Sequence, residues 1–203
     1  MSVEEVIAQL ETVLDRIDGV TFLGGEPFEQ AGDLWQIAKF AREAGKNVLT
    51  FTGYTYEQLT GCESISKTED GYYFLSDIAE EHQKSVDAGK DKVLKDIERN
   101  RKKAAVDLLQ DLDAMEVEKL LEYTDLLADG PFIQDLLSYD RPMLGSSNQR
   151  FIFLTDAISR EAMENYRNSF EVRVSPQGKV QINGMGNVEK LKEYLGSEGM
   201  YRL

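Results

Sequence analysis

Apolar residues return at helical spacing from Val3 to Ile17, at Val6, Ile7, Leu10, Val13, Leu14 and Ile17, and Gly19 ends that run. A β-prone stretch follows at once. Val20-Thr-Phe-Leu23 stops at Gly24-Gly25 and reads as a buried strand entering a glycine turn. The segment from Asp33 to Ala44 places Leu34, Ile37, Ala38 and Ala41 on one helical face before Gly45. Asn47 to Thr52 then predicts a second strand, ended by Gly53. Helix, strand, helix and strand at this spacing specify an α/β fold whose parallel sheet is joined by crossover helices. Ligand chemistry in such sheets gathers at the carboxyl ends of the strands.

The alternation breaks after Leu59. Ser64 to Tyr73 is polar, and Leu75 onward is charged and helical in pattern, with Val93, Ile97, Ala104, Leu108 and Leu112 forming one stripe. This predicts a helical insertion over 60–122 between a first core part (1–59) and a second (123–203). In the second part Tyr123 to Leu127 and Arg150 to Leu154 read as strands, and Ser159 caps a helix running to Asn168. Phe170 to Val174 alternates strictly, Pro176-Gln-Gly178 turns the chain, and Lys179 to Ile182 alternates again, which is a β-hairpin signal. Asn187 to Leu195 predicts a closing helix.

Charge narrows the partners. The chain has 203 residues, with 23 basic against 37 acidic side chains and a formal charge of -14, so it would repel a phosphate backbone. Nucleic acid is therefore not expected as a partner. No apolar run reaches the roughly 20 residues that span a bilayer, and Ser2, Glu4 and Glu5 are unlike a basic-then-apolar leader, so a cytoplasmic protein without membrane association is expected. Cys62 is the only cysteine of the chain. One thiol allows no internal disulfide and cannot supply the several thiolates of an iron–sulfur cluster. Cys62 reads as a small residue at the insertion boundary, His82 as a solvated helix residue, and Trp35 as packing.

The segment Gly19-Val-Thr-Phe-Leu-Gly-Gly-Glu-Pro-Phe28 resembles the Gly-Gly-Glu-Pro motif of radical S-adenosylmethionine enzymes. Taken alone, it is also an ordinary strand-to-helix turn. Three further segments follow in order: Thr50-Phe-Thr-Gly-Tyr54, Asp125-Leu-Leu-Ala-Asp-Gly-Pro-Phe132 and Gly145-Ser-Ser-Asn-Gln-Arg150. Together they resemble the activating proteins of anaerobic ribonucleoside-triphosphate reductases, over Met1 to about Leu154 apart from the insertion. The resemblance implies an incomplete (β/α) barrel that holds S-adenosylmethionine and a 4Fe-4S cluster and generates a glycyl radical on a partner reductase. It implies that Gly24, Gly25, Glu26 and Pro27 line the methionine end of the cofactor, with Thr52, Gly53 and Asp129 at neighbouring strand ends. Thr52-Gly53 also reads as a plain strand terminus, and Asp129-Gly130 as a turn capping its own backbone. Gly145 to Gln149 reads either as a loop of small donors for a polar ligand or as a tight connection.

The chain departs from the family in one respect. The three-cysteine loop that carries the cluster would precede the first helix, and Met1 stands at that helix. No residue here is assigned a catalytic or metal-ligating role. Three readings follow: an activating enzyme whose cluster loop lies outside these residues, the chain alone being inactive; a non-catalytic module that docks a protein through the helical insertion; or an unrelated doubly wound domain whose motifs match by chance.

Overall fold

The computed structural model describes residues 1–62, 68, 70–78, 112–184 and 193. His82, most of the helical insertion and most of the expected closing helix lie outside the described residues. Helix α1 (Val3–Glu11) starts at a capping box in which Ser2 and Glu5 satisfy each other's backbone amides, and a short 3-10 turn, Leu14–Arg16, leads on. Strand β1 (Gly19–Phe22), a 3-10 turn (Pro27–Gln30), helix α2 (Ala31–Glu43), strand β2 (Asn47–Phe51) and helix α3 (Tyr56–Thr60) follow. Next come β3 (Tyr72–Phe74), α4 (Ala114–Glu122), β4 (Leu126–Asp129), β5 (Arg150–Phe153), α5 (Arg160–Asn165) and the hairpin strands β6 (Phe170–Val174) and β7 (Val180–Gly184).

Five strands form one open sheet in the order β1-β2-β4-β5-β3, and β6 and β7 form a separate antiparallel ribbon. β1, β2 and β4 are parallel, as the helix–strand alternation predicts. β5 runs antiparallel to β4, and β3 runs parallel to β5, so two strands depart from the parallel expectation. The cause is local: the chain from β4 to β5 contains a 3-10 turn but no α-helix, and a parallel return needs a crossover. β1 lies at the sheet edge and is only half-buried, with Thr21 exposed, in contrast to the buried strand that its composition suggests. Tyr123 closes α4 instead of opening β4.

Side chains alternate between the two faces of the sheet. Val20, Val48, Leu127 and Ile152 face a layer built on Phe28, Ala38, Ala41, Val117 and Leu120. Leu49, Leu126, Ala128, Phe151 and Phe153 face the other way, under Leu144 and Met163. The second face is covered by loop and short helix, and a groove of about 700 Å³ stays open there beside β1 and β2, between Leu23, Phe51, Phe132 and Gln149. No helix among the described residues is long and apolar enough to cross a membrane.

Candidate functional site

The carboxyl ends of β1, β2 and β4 meet at one rim of the sheet, joined there by the amino end of β5, because Asp129 pairs with Arg150 across the antiparallel step. The turn after β1 is built by two left-handed glycines, Gly24 at φ 91° and Gly25 at φ 55°, a conformation that side-chain-bearing residues disfavour. Both glycines are exposed, and a Cβ placed on Gly24 would meet nothing within 4 Å. Pro27 is buried at the first position of the following 3-10 turn, where its missing N–H costs nothing, and it anchors the open turn to the core beside Phe28.

Glu26 joins two strand ends. Its Oε1 accepts from the Thr52 hydroxyl at 2.7 Å and from the Phe28 amide at 3.2 Å, and its Oε2 accepts from the Gly53 amide at 2.8 Å. The Thr52 hydroxyl in turn accepts from the Tyr54 amide at 3.1 Å. Of the seven residues predicted from sequence, Glu26, Thr52 and Gly53 therefore form one hydrogen-bonded corner, and Gly24, Gly25 and Pro27 adjoin it through the chain at Glu26. Both oxygens of the Glu26 carboxylate are engaged within the protein. What the corner leaves open to a ligand is the backbone of Gly24 and Gly25.

Asp129, the seventh, sits on the same rim but faces elsewhere. It is fully buried, accepts from the Tyr56 amide at the start of α3 at 2.7 Å, and meets Arg150 through both oxygens, with Nε to Oδ1 at 2.9 Å. Arg150 also holds Glu57 in a two-pronged pair at 2.9 and 2.6 Å. Burial raises the Asp129 pKa, and the hydrogen bonds and charge of Arg150 offset this in part. Burial alone would lower the Arg150 pKa, but its bonds to Glu57 and Asp129 override that and hold it above its ordinary value. Arg150 and Glu57 were not among the expected site residues. An arginine directly after the Gly145–Gln149 segment and a glutamate in the first turn after Thr55 were the only sequence cues.

The Gly145–Gln149 segment is a clamp. Gln149 Oε1 accepts from the amides of Gly145 and Ser146 at 3.0 and 3.1 Å, while its Nε2 donates to the Gly130 carbonyl at 3.2 Å. Asn148 donates to the Pro131 carbonyl at 2.7 Å, and the Ser146 hydroxyl accepts from the Ile133 amide at 3.3 Å. The small donors and acceptors of this segment thus fasten the loop that follows β4. Its glycine lets the Phe132 ring lie close, since a Cβ there would stand 3.1 Å from that ring and push it outward by a few tenths of an ångström.

Residues 2–70 match the family model of the 4Fe-4S single cluster domain. The match is consistent with a radical S-adenosylmethionine type of iron–sulfur family, and it spans α1, the Gly24–Pro27 turn and the Thr52-Gly53 strand end. No curated protein and no solved structure matches the chain. The chain's own residues do not fit a 4Fe-4S cluster. Its only cysteine is Cys62, whose half-buried thiol has a pKa raised mainly by desolvation, and no group of three or more His, Cys, Asp or Glu among the described residues could hold a metal.

Proposed function

We propose that this chain is the cofactor-facing body of a radical S-adenosylmethionine activating protein, acting on a glycyl-radical reductase. The observation that carries the reading is the corner at the ends of β1 and β2, where exposed left-handed glycines are braced from behind by Glu26. Carbonyl oxygens of an open turn can accept from an ammonium group, and the carboxylate behind them adds negative potential without being spent on the ligand. Gly24, Gly25, Glu26 and Pro27 would receive the amino acid end of S-adenosylmethionine, and Thr52 and Gly53 would fix the turn's height above the sheet. Asp129 would act through Arg150 by holding the adjoining strand ends, not by touching the cofactor.

One thiol cannot hold a cluster, so the reductive cleavage this family performs needs thiolates from outside these 203 residues. That same observation favours a second reading, a non-catalytic module that keeps the fold and docks a protein. Isothermal calorimetry with S-adenosylmethionine, competed by methionine, tests the first. Saturable binding at submillimolar ligand, displaced by methionine, is expected; no heat at millimolar ligand would refute it. Glycyl-radical formation, read by electron paramagnetic resonance, is expected only when the cysteine-bearing segment is supplied.

A further inference from the structure

We infer that the loop after β4 is a docking surface for a protein whose contact patch is apolar and edged with Lys or Arg. From Pro131 to Leu137 every residue is exposed, and Phe132, Ile133, Leu136, Leu137 and Tyr139 stand 54%, 39%, 40%, 46% and 37% exposed. Leu23, 72% exposed at the end of β1, faces Phe132 across the open groove, so the surface continues to the Gly24 turn. Isolated surface leucines are ordinary, but neighbouring apolar side chains on one loop mark an interaction site.

This loop is also held stiffly. Ser147 donates to the Leu136 carbonyl at 2.8 Å, Ser138 to the Gly145 carbonyl at 3.1 Å, and Leu137 bridges Ser146, in addition to the Asn148 and Gln149 clamps. Backbone groups of Pro131, Ile133, Leu136 and Ser138 bond to Gly145–Asn148 while the side chains of Ile133, Leu136 and Leu137 stay exposed and the Phe132 ring lies over Gly145 with about half its surface open. Pre-ordering of this kind removes the entropy cost that an unrestrained loop would meet on binding.

Charge identifies the occupant. Residues 131–140 contain Asp135 and Asp140 and no basic residue, and the next residue, Arg141, is half-buried and donates to the Ser147 carbonyl at 2.9 Å, within a chain of formal charge -14. An anionic lipid surface would be repelled, whereas a second copy would have to present its basic segment 90–103, in which seven Lys and Arg outnumber three acidic residues, so self-association is one arm of the test. A patch of opposite sign gains both steering and specificity. The inference does not depend on cofactor binding, although it also suits the protein substrate that the proposed function requires.

The test uses the full chain and a fluorescein-labelled amphipathic peptide of about 14 leucines and lysines, with its leucine–glutamate counterpart as control. Anisotropy should show saturable binding of the lysine peptide only, weakened by salt and at least about tenfold by L136S/L137S, a charge-neutral change at exposed positions. D135K, which leaves the leucines in place, should weaken it severalfold, and photocrosslinks should fall on 131–139. Equal binding of the glutamate peptide, unchanged affinity of both variants, vesicle binding, or self-association that L136S/L137S abolishes would each overturn the inference.

Discussion

Replacing Arg150 by methionine keeps most of the stem and removes the charge that three elements share. The guanidinium is the partner of Asp129, whose side chain is 0% exposed, and of Glu57 at 21%, and it lies 5.3 Å from the centre of the Tyr73 ring. In the variant the Tyr56 amide still donates to Asp129, but the carboxylate has no cation to offset its desolvation. Breaking a buried pair from one side costs about 3–5 kcal/mol, which in a chain stable by roughly 5–15 kcal/mol moves the urea midpoint by about 2 M at an m of about 2 kcal/mol per molar. The pH dependence has a definite sign. Burial already raises the Asp129 pKa, and losing Arg150 raises it further, so the folded variant holds a proton that the unfolded chain releases. A folded pKa above the unfolded one contributes stability that is present at low pH and is lost as pH rises through the folded value. Urea unfolding of R150M and wild type at about pH 5 and about pH 7 should therefore show the larger difference at the higher pH. A difference below about 1 kcal/mol at neutral pH, or one that does not change with pH, would refute the reasoning.

Three other outcomes follow from neighbouring contacts. The hydroxyls of Thr50 and Thr124, both 0% exposed, lie 2.9 Å apart, and that of Thr124 also donates to the Leu120 carbonyl; T124V should cost about 1–3 kcal/mol in chemical denaturation, and T50V/T124V should recover part of it. Gly71 has φ 73°, and a Cβ there would press on the Arg141 guanidinium, so G71A should lower the thermal midpoint by several degrees, with no change counting against the geometry. Desolvation raises the Cys62 pKa, so iodoacetamide at about pH 8 should alkylate it more slowly than glutathione in the same tube; equal rates would contradict the burial.

The first half of the fold was legible because α2 carries a clear helical period, β1 and β2 are short β-prone runs, and each of the three ends at a glycine. Ser159 as a helix cap and the hairpin between Phe170 and Gly184 were legible for the same reason: side-chain and turn chemistry act locally. β3 was not. Three aromatic residues in a polar stretch give too short a run to show a period, and Tyr72 and Tyr73 are strand residues only because Phe151 and Ile152 lie beside them. The reversed direction of β5 did leave a signal, since Pro131 to Gln149 has no helical repeat to build a crossover. At the site, the short motif predicted which residues converge but not what their side chains do. That Glu26 bonds inward and Asp129 turns to Arg150 depends on contacts across 26 and 21 positions of chain, which spacing alone does not encode.

Glu26 is where the two questions, stability and binding, come apart. The carboxylate faces three donors: the Thr52 hydroxyl, the Gly53 amide and the Phe28 amide. Glutamine offers one acceptor oxygen and one donor nitrogen. If its oxygen takes the place of Oε1, the Gly53 amide faces an N–H; if it takes the place of Oε2, the Phe28 amide does. Either way one backbone N–H loses its partner, at a cost of about 1–3 kcal/mol, the lower end applying at Gly53, which water reaches. Alanine removes all three acceptors and frees the turn from Thr52. Because both carboxylate oxygens are already engaged, a ligand at Gly24–Gly25 meets backbone, and the variants should separate accordingly. E26Q should lower the unfolding midpoint yet weaken S-adenosylmethionine less than about tenfold, whereas E26A should lose more than that because the turn itself relaxes. Loss of binding in E26Q with an unchanged midpoint would mean that the carboxylate grips the ligand directly, and would refute its role as a brace.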